Sequence, residues 1–365
     1  QVSGGESGLG GHVEIHSSQG DVNTGRAIST RSRVTGNGSA NSAGSILIKS
    51  PLGRISVGGG LESFSEVRGR VSQQDMLSSA ANGGNVTLLS SRDISTLFIT
   101  TSSLVGQTPR FAFGNFLRSD GHAGDAGSVN IASLNGNILI NGSAALSVVT
   151  GDGSTGDGGN ITLHSPNGNI EVRDNDGGGL STFVQLLGDP IRSDNNETQI
   201  GVGSSGSIDL HAGGDIATNS LRTFVQGASS DGRGESGNIS LDSEEGSITT
   251  GSLLAFGVNG RGNIMVDAHK GITIETRTEE NVSRSRAFSI IDASGGGDGG
   301  DITLTSQTAT IENEVVVFPN AAGPDGVGLL ISSDATTPGN GGDITLNAQS
   351  LQLENAEVTS ALHSL

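Results

Sequence analysis

The chain has no cysteine, tryptophan or tyrosine among its 365 residues, and only two methionines and seven prolines. Without cysteine there is no disulfide framework and no thiolate metal site, which argues against a small disulfide-stapled scaffold but leaves a bacterial exoprotein open. Positive charge is scarce too: 19 Lys and Arg face 38 Asp and Glu, for a formal charge of −19. No dense basic run exists, so a nucleic-acid footprint is missing. The acidic surface keeps a long protein soluble and can attract cations. There is no apolar run of membrane-spanning length, and no signal-peptide pattern stands at Gln1.

What the chain has in excess is glycine, 60 of 365 residues, more than twice the usual share of about 7%. Glycine suits sharp corners and positive φ, so many tight turns are expected. The glycines also carry a repeat. A phrase Gly-(Asn/Asp/Ser)-(Ile/Val)-x-(Leu/Ile/Val) opens at Gly11, Gly44, Gly84, Gly127, Gly159, Gly206, Gly237, Gly262, Gly300 and Gly342, with His12 the one departure in its polar slot. The intervals run from 25 to 47 residues. Repetition at that period marks a stacked, quasi-one-dimensional architecture.

Most phrases alternate apolar and polar residues, as in Gly159-Asn160-Ile161-Thr162-Leu163 and Gly300-Asp301-Ile302-Thr303-Leu304. Period two places one face inward and one outward on a strand. A second strand follows a tight turn such as Asn135-Gly136 or Asn167-Gly168, where glycine is read as the source of a positive φ. A third, less regular strand carries Leu180-x-x-Phe183, Leu221-x-x-Phe224, Leu61-x-x-Phe64 and Leu253-x-x-Phe256. Phe98 and Phe288 are placed similarly. These phenylalanines are read as stacked core inside the coil. Three strands per turn and no helical pattern predict an all-β, single-stranded parallel β-helix. A right-handed solenoid of about ten coils with loop insertions is expected, one continuous domain over 1–365. Coils spaced ~4.8 Å apart would give a rod of about 50 Å. The polar residues after each anchor glycine would line up as a structural ladder at one corner.

Phrases such as Gly156-Asp157-Gly158-Gly159-Asn160-Ile161-Thr162-Leu163, followed by a Gly-Asn-Ile turn and a Ser/Thr-rich third strand, resemble large bacterial exoproteins of the filamentous haemagglutinin type. The glycine-rich, cysteine-free style is most similar to their cyanobacterial branch. The resemblance covers essentially the whole chain and speaks to architecture more than to activity. It implies secretion through a dedicated outer-membrane pore and a role in adhesion or surface structure. The family's amino-terminal secretion domain carries Asn-Pro motifs, and this sequence has no Asn-Pro.

Candidate chemistry is sparse. Asp209, Asp242 and Asp267 fall near comparable strand positions in successive repeats, Asp209 inside the strand and the other two just past it. Paired carboxylates there would suit a polysaccharide lyase or hydrolase, the alternative reading. With no Trp or Tyr, aromatic platforms for sugar rings are few, and the chain is read as a non-enzyme. Asp298, Asp301 and Asp343 lie in Gly-rich turns and are the candidates for a structural calcium ion, the one cofactor considered. The seven histidines are scattered; His164 and His211 each follow the first strand by one position, one coil apart, and a solvated corner is the favoured reading over a zinc site. Insertions are where a β-helix carries recognition. The sharpest is Pro109 to Leu117, which concentrates Phe111, Phe113 and Phe116, a candidate interaction loop. Segments 186–204, 276–287 and 312–328 are the others, and Val315 to Pro319 is apolar enough to pack as a strand.

The carboxyl-terminal stretch Glu357 to Leu365 reads as a third strand and Gln1 to Gly10 as the loop after one. Joined tail to head, they would make one coil of ordinary phase. Together these readings point to an extracellular structural or adhesive fibre on a bacterial surface. Its partners would be further coils or neighbouring copies end to end, and cell-surface or matrix glycans. Gly84, Gly127, Gly159, Gly206, Gly237, Gly300 and Gly342 would be its structural anchors.

Overall fold

The computed structural model describes residues 2–68, 78–106, 120–173, 179–187, 201–227, 234–260, 262–277, 288–316, 328–335 and 339–360. Every regular element among them is a β-strand. All strand pairs are parallel, between segments one repeat apart, and they build three sheets. This is a parallel β-helical solenoid.

The first sheet has ten strands and follows the anchor glycines, from Val13–His16 and Ile46–Ser50 through to Ile302–Ser306 and Ile344–Asn347. Its period-two pattern does what the sequence requires. Ile161 and Leu163 point inward and are buried, whereas Thr162 and His164 point outward. The second sheet also has ten strands, most of them three residues long, such as Ile138–Ile140 and Ile170–Val172. The third sheet contains the longer strands Leu61–Arg68, Ile99–Val105, Ser143–Val149, Leu180–Leu186 and Leu221–Gln226. Inward-facing Ile, Leu and Val from all three sheets merge into one axial core.

Three expectations from the sequence need correction. The first is the strand count. A short return strand follows the third strand in several repeats: Ser78–Ala80, Gly121–Ala123 and Gly153–Thr155 stack on the end of the long strand Ile28–Ala40. The returns thus belong to the third sheet, and with its longer strands they enclose a second core of Val34, Val67, Ala80, Val105, Ala123 and Val149. The second correction concerns the phenylalanines. In the strand Leu180–Leu186, residues Leu180, Thr182 and Val184 face inward, so Phe183 faces outward. A Leu-x-x-Phe spacing of three is odd, and odd spacings in a strand fall on opposite faces. Phe183, Phe224 and Phe256 are therefore half-buried on the outer face, where their rings stack at centroid separations of 5.6 and 5.7 Å.

The third correction is the reason for glycine. None of the anchors, and neither Gly136 nor Gly168, has a positive φ. From Gly44 onward the anchors are required by close approach instead, as are Gly136 and Gly168. A Cβ on Gly127 would lie 2.2 Å from the carbonyl oxygen of Gly84, and one on Gly159 2.0 Å from that of Gly127. At the second corner a Cβ on Gly168 would sit 2.3 Å from the Gly136 oxygen. Backbone stacks directly on backbone at these corners, and any side chain would hold the coils apart.

Candidate functional site

The residue after each anchor glycine does form a ladder, of side chain to backbone. The Oδ1 of Asn85 accepts the backbone N–H of Ser128 at 2.9 Å, and the Oγ of Ser128 accepts that of Asn160 at 3.2 Å. Asn160 serves Ser207, Asn238 serves Asn263, and Asn263 serves Asp301, at 2.8 to 2.9 Å. Two further ladders run along other corners. One joins Asp93, Asn137, Asn169, Asp215 and Ser247; the other joins Asn82, Asp125, Asp157 and Ser204. Asn, Asp and Ser share a short side chain with an acceptor oxygen, and this explains why those three types alternate there.

Inside the coil, buried hydroxyls complete the scheme. Ser133 donates to the Arg92 carbonyl at 2.6 Å, and Ser165 to the Gly136 carbonyl at 2.7 Å. Ser243 bonds Gly214 at 2.8 Å in the same way. From the third sheet, Ser63 and Thr223 donate to the anchor carbonyls of Gly44 and Gly237, each at 2.7 Å. These hydroxyls satisfy carbonyls that turn away from the sheets at corners.

The calcium candidates sit within the ladders. Asp301 Oδ1 accepts the N–H of Asp343 at 3.0 Å, and Asp298 Oδ1 accepts that of Asn340 at 2.8 Å. Among the described residues no group of three or more His, Asp or Glu could hold a metal ion. Stacked side chains project side by side along the axis at about 4.8 Å intervals and do not converge on a point. The candidate loop with Phe111, Phe113 and Phe116 lies outside the described residues. Of the remaining insertions, Thr310–Val316 is strand through Val316.

The densest titratable cluster is on the outer face of the first sheet. His164, His211, Asp242 and Asp267 are consecutive register partners across four adjacent strands. The imidazoles of His164 and His211 stack with centroids 4.9 Å apart. His211 Nδ1 lies 2.9 Å from Asp242 Oδ2 and its Nε2 lies 3.3 Å from Glu244 Oε1. Gln307 Nε2 donates to Asp267 Oδ1 at 3.1 Å. Asp242 and Asp267 thus lie inside the strands Ile239–Ser243 and Ile264–Ala268, and His164 and His211 inside Ile161–Ser165 and Ile208–Ala212, not beyond them. Asp209 belongs to the neighbouring row, beside Thr162 and Ser240. The signal for this row is plain in retrospect: each of its four members stands five residues after an anchor glycine. The row can bind a polar surface or hold its own strands together. It lies on a sheet face, and the engaged nitrogens of His211 tie it to its own neighbours.

A second cluster lies on the outer face of the third sheet near the amino-terminal end. Glu66, buried, accepts from Arg33 Nε at 2.6 Å and Arg68 Nε at 2.5 Å. The Arg31 and Arg33 guanidiniums lie 5.8 and 5.2 Å from the Phe64 ring centroid. Among the described residues no helix is long and apolar enough to cross a membrane. Comparison with protein-family models, with characterised proteins and with solved structures gives no match.

Proposed function

We propose that this protein is an extracellular structural or adhesive fibre of a bacterial surface, of the filamentous haemagglutinin type its repeats resemble. The observation that supports this is the continuity of the stack. The first and second sheets each run unbroken through ten strands, from Val13–His16 to Ile344–Asn347 and from Val22–Thr24 to Ser350–Gln352. The small polar residues at the corners are engaged in joining one coil to the next. Stiffness along the axis is what such an arrangement supplies, and side chains on the outer faces supply contacts, with glycans and neighbouring coils as the partners. Gold-labelled antibody on intact source cells tests this reading. Label on extended material at the cell exterior is the expected result; label seen only after permeabilisation would sink it.

The second reading, a polysaccharide-active lyase or hydrolase, has one observation in its favour: imidazoles and carboxylates lie side by side at His164, His211, Asp242 and Glu244. Release of reducing ends from acidic polysaccharides, lost in Asp242→Asn, would select it over the fibre.

A further inference from the structure

Three residues of the first-corner ladder are asparagines whose amide nitrogen the ladder does not use. Asn85, Asn160 and Asn238 each accept an N–H of the next coil through Oδ1, at 2.8 to 2.9 Å. An acceptor oxygen is all that the ladder needs, and Ser128 and Ser207 supply one from the coils between. The carboxamide nitrogen is therefore not explained by the joining of coils. All three asparagines are exposed, and among the described residues their Nδ2 atoms have no partner.

The same three positions share a second feature. Two residues on, each has a hydroxyl: Thr87, Thr162 and Ser240. Residues two apart along a strand project to the same side, and these three are half-exposed on the outer face. Asn-x-Ser/Thr is the acceptor sequence for attaching a sugar to asparagine. Ladder position and alternation do not by themselves produce it. Asn137 and Asn169 hold equivalent places in the second-corner ladder, and two residues on they have Leu139 and Glu171. Asn263, which adjoins Asn238 in the first-corner ladder, has Met265. Within the ladders the acceptor sequence is thus confined to one corner. It is also confined to alternate coils, since the strands opening at Val86, Val129, Ile161, Ile208 and Ile239 are consecutive neighbours. Asn85, Asn160 and Asn238 are therefore spaced about 9.6 Å apart, two rungs of the stack, with a small serine between each pair. That spacing leaves room for a sugar on every one. A sugar on Asn263, a single rung of about 4.8 Å from Asn238, would crowd its neighbour. Asn37 and Asn141 also carry the acceptor sequence, but both are half-buried and neither is a ladder residue. Asn196 and Asn281 carry it outside the described residues.

We infer that Asn85, Asn160 and Asn238 are attachment sites for N-linked sugars, set in a row along the first corner of the solenoid. The co-reactant is a sugar activated as its diphosphate ester and presented by a separate transferase. Nδ2 forms a bond to the anomeric carbon. The bond from that carbon to the diphosphate oxygen breaks, the diphosphate leaves with the electron pair, and one amide proton passes to a base of the transferase. The product is a secondary amide that keeps Oδ1. The N–H groups of Ser128, Ser207 and Asn263 retain their acceptor, so the coils stay joined beneath the sugars. Serine or aspartate at these positions would serve the ladder equally and could not carry the sugar. The row would stand as a hydrated fringe along one edge of the first sheet.

Peptide mass spectrometry of the protein isolated from its source cells, with electron-transfer fragmentation to place any added mass, is the test. Sugar mass is expected on Asn85, Asn160 and Asn238, and none on Asn137, Asn169 or Asn263. Thr162→Ala, produced in the same cells, should lose the mass at Asn160 and keep it at Asn85 and Asn238. Thr162→Ser should keep all three, and Thr87→Ala should clear Asn85 alone. Neither threonine makes a ladder bond, so the circular dichroism of each variant should match that of the parent. Unmodified asparagine at all three positions overturns the proposal. So does sugar on Asn137 or Asn263 at comparable occupancy, or sugar on Asn160 that survives Thr162→Ala. The fibre reading is judged separately by the antibody label: bare asparagines on a protein that labels outside the cell leave that reading standing while the sugar sites fall.

Discussion

At the scale of single residues, glycine does its work here by having no side chain, not by reaching unusual φ. At Gly127 the backbone is ordinary, and the obstacle to a methyl group is the carbonyl of Gly84 at 2.2 Å. Neither partner can yield without moving a strand of the first sheet. Gly127→Ala is therefore expected to destabilise by about 1–3 kcal/mol, the usual cost of overpacking. Gly25→Ala, where an added Cβ meets nothing within 4 Å, should stay within about 0.5 kcal/mol of the parent. Denaturant titration followed by far-ultraviolet circular dichroism compares the two, and equal losses would refute the steric account. The ladder residues respond to different chemistry. Asn160 contributes an acceptor to the Ser207 N–H at 2.9 Å. Asn160→Ala should lose about 0.5–1.5 kcal/mol, the net value of a typical hydrogen bond. Asn160→Asp retains the acceptor and should lose much less. If both substitutions cost the same, acceptor geometry is not what the position selects.

Between strands, the outer face of the third sheet shows how side chains reinforce the backbone ladder. Phe224 lies between Phe183 and Phe256 with near-parallel rings on both sides. Because the faces are turned to one another, the stack presents ring edges to its surroundings and is poorly suited as a platform for sugars. Its contribution is cohesion between coils. A double-mutant cycle on Phe183 and Phe224 should give a coupling of about 0.5–1.5 kcal/mol. The same cycle on Phe183 and Phe256, which do not touch, should be additive within about 0.5 kcal/mol. Comparable couplings for both pairs would point to a diffuse effect and not to ring contact. The inward or outward sense of these rings was available from the parity of Leu180 and Phe183, just as the His164–His211–Asp242–Asp267 row was available from a constant offset. The strands of the first sheet were legible because Ile161 and Leu163, and their equivalents, alternate cleanly with polar neighbours. The return strands were not. Ser78–Ala80, Gly121–Ala123 and Gly153–Thr155 share no apolar pattern, and they become strands only because the end of Ile28–Ala40 offers them an edge. Likewise the close approach at Gly136 cannot be seen from Asn135-Gly136 alone, since it depends on the backbone one coil below.

The whole molecule is a one-dimensional stack, so its behaviour should follow from the number and phase of its coils. The interval from Gly237 to Gly262 is the shortest, 25 residues, and contributes one strand to each sheet: Ile239–Ser243, Ile248–Thr250 and Leu253–Phe256. Removing residues 237–261 would bring Ile208–Ala212 against Ile264–Ala268, two strands that share the same inward-facing pattern. Gly206 would then meet Gly262, again glycine on glycine, and the Asn263 N–H would find the Ser207 Oγ that Asn238 now uses at 3.1 Å. The rules of the first corner are met by the new neighbours, although Phe224 loses one stacking partner. The shortened chain is expected to remain folded and all-β, with a maximum dimension in small-angle scattering reduced by about 4.8 Å. Its stability should fall only by the share of one interface. Removing residues 237–249 instead leaves a third-sheet strand with no first or second strand before it. The strand Leu253–Phe256 would then follow Ser236 after only Thr250, Gly251 and Ser252, and the axial core would lose Ile239, Leu241 and Ile248 without replacement. That variant should lose cooperative unfolding in circular dichroism melts. If the two deletions behaved alike, the fold would not depend on whole coils in phase, and the anchor glycines would be incidental to it.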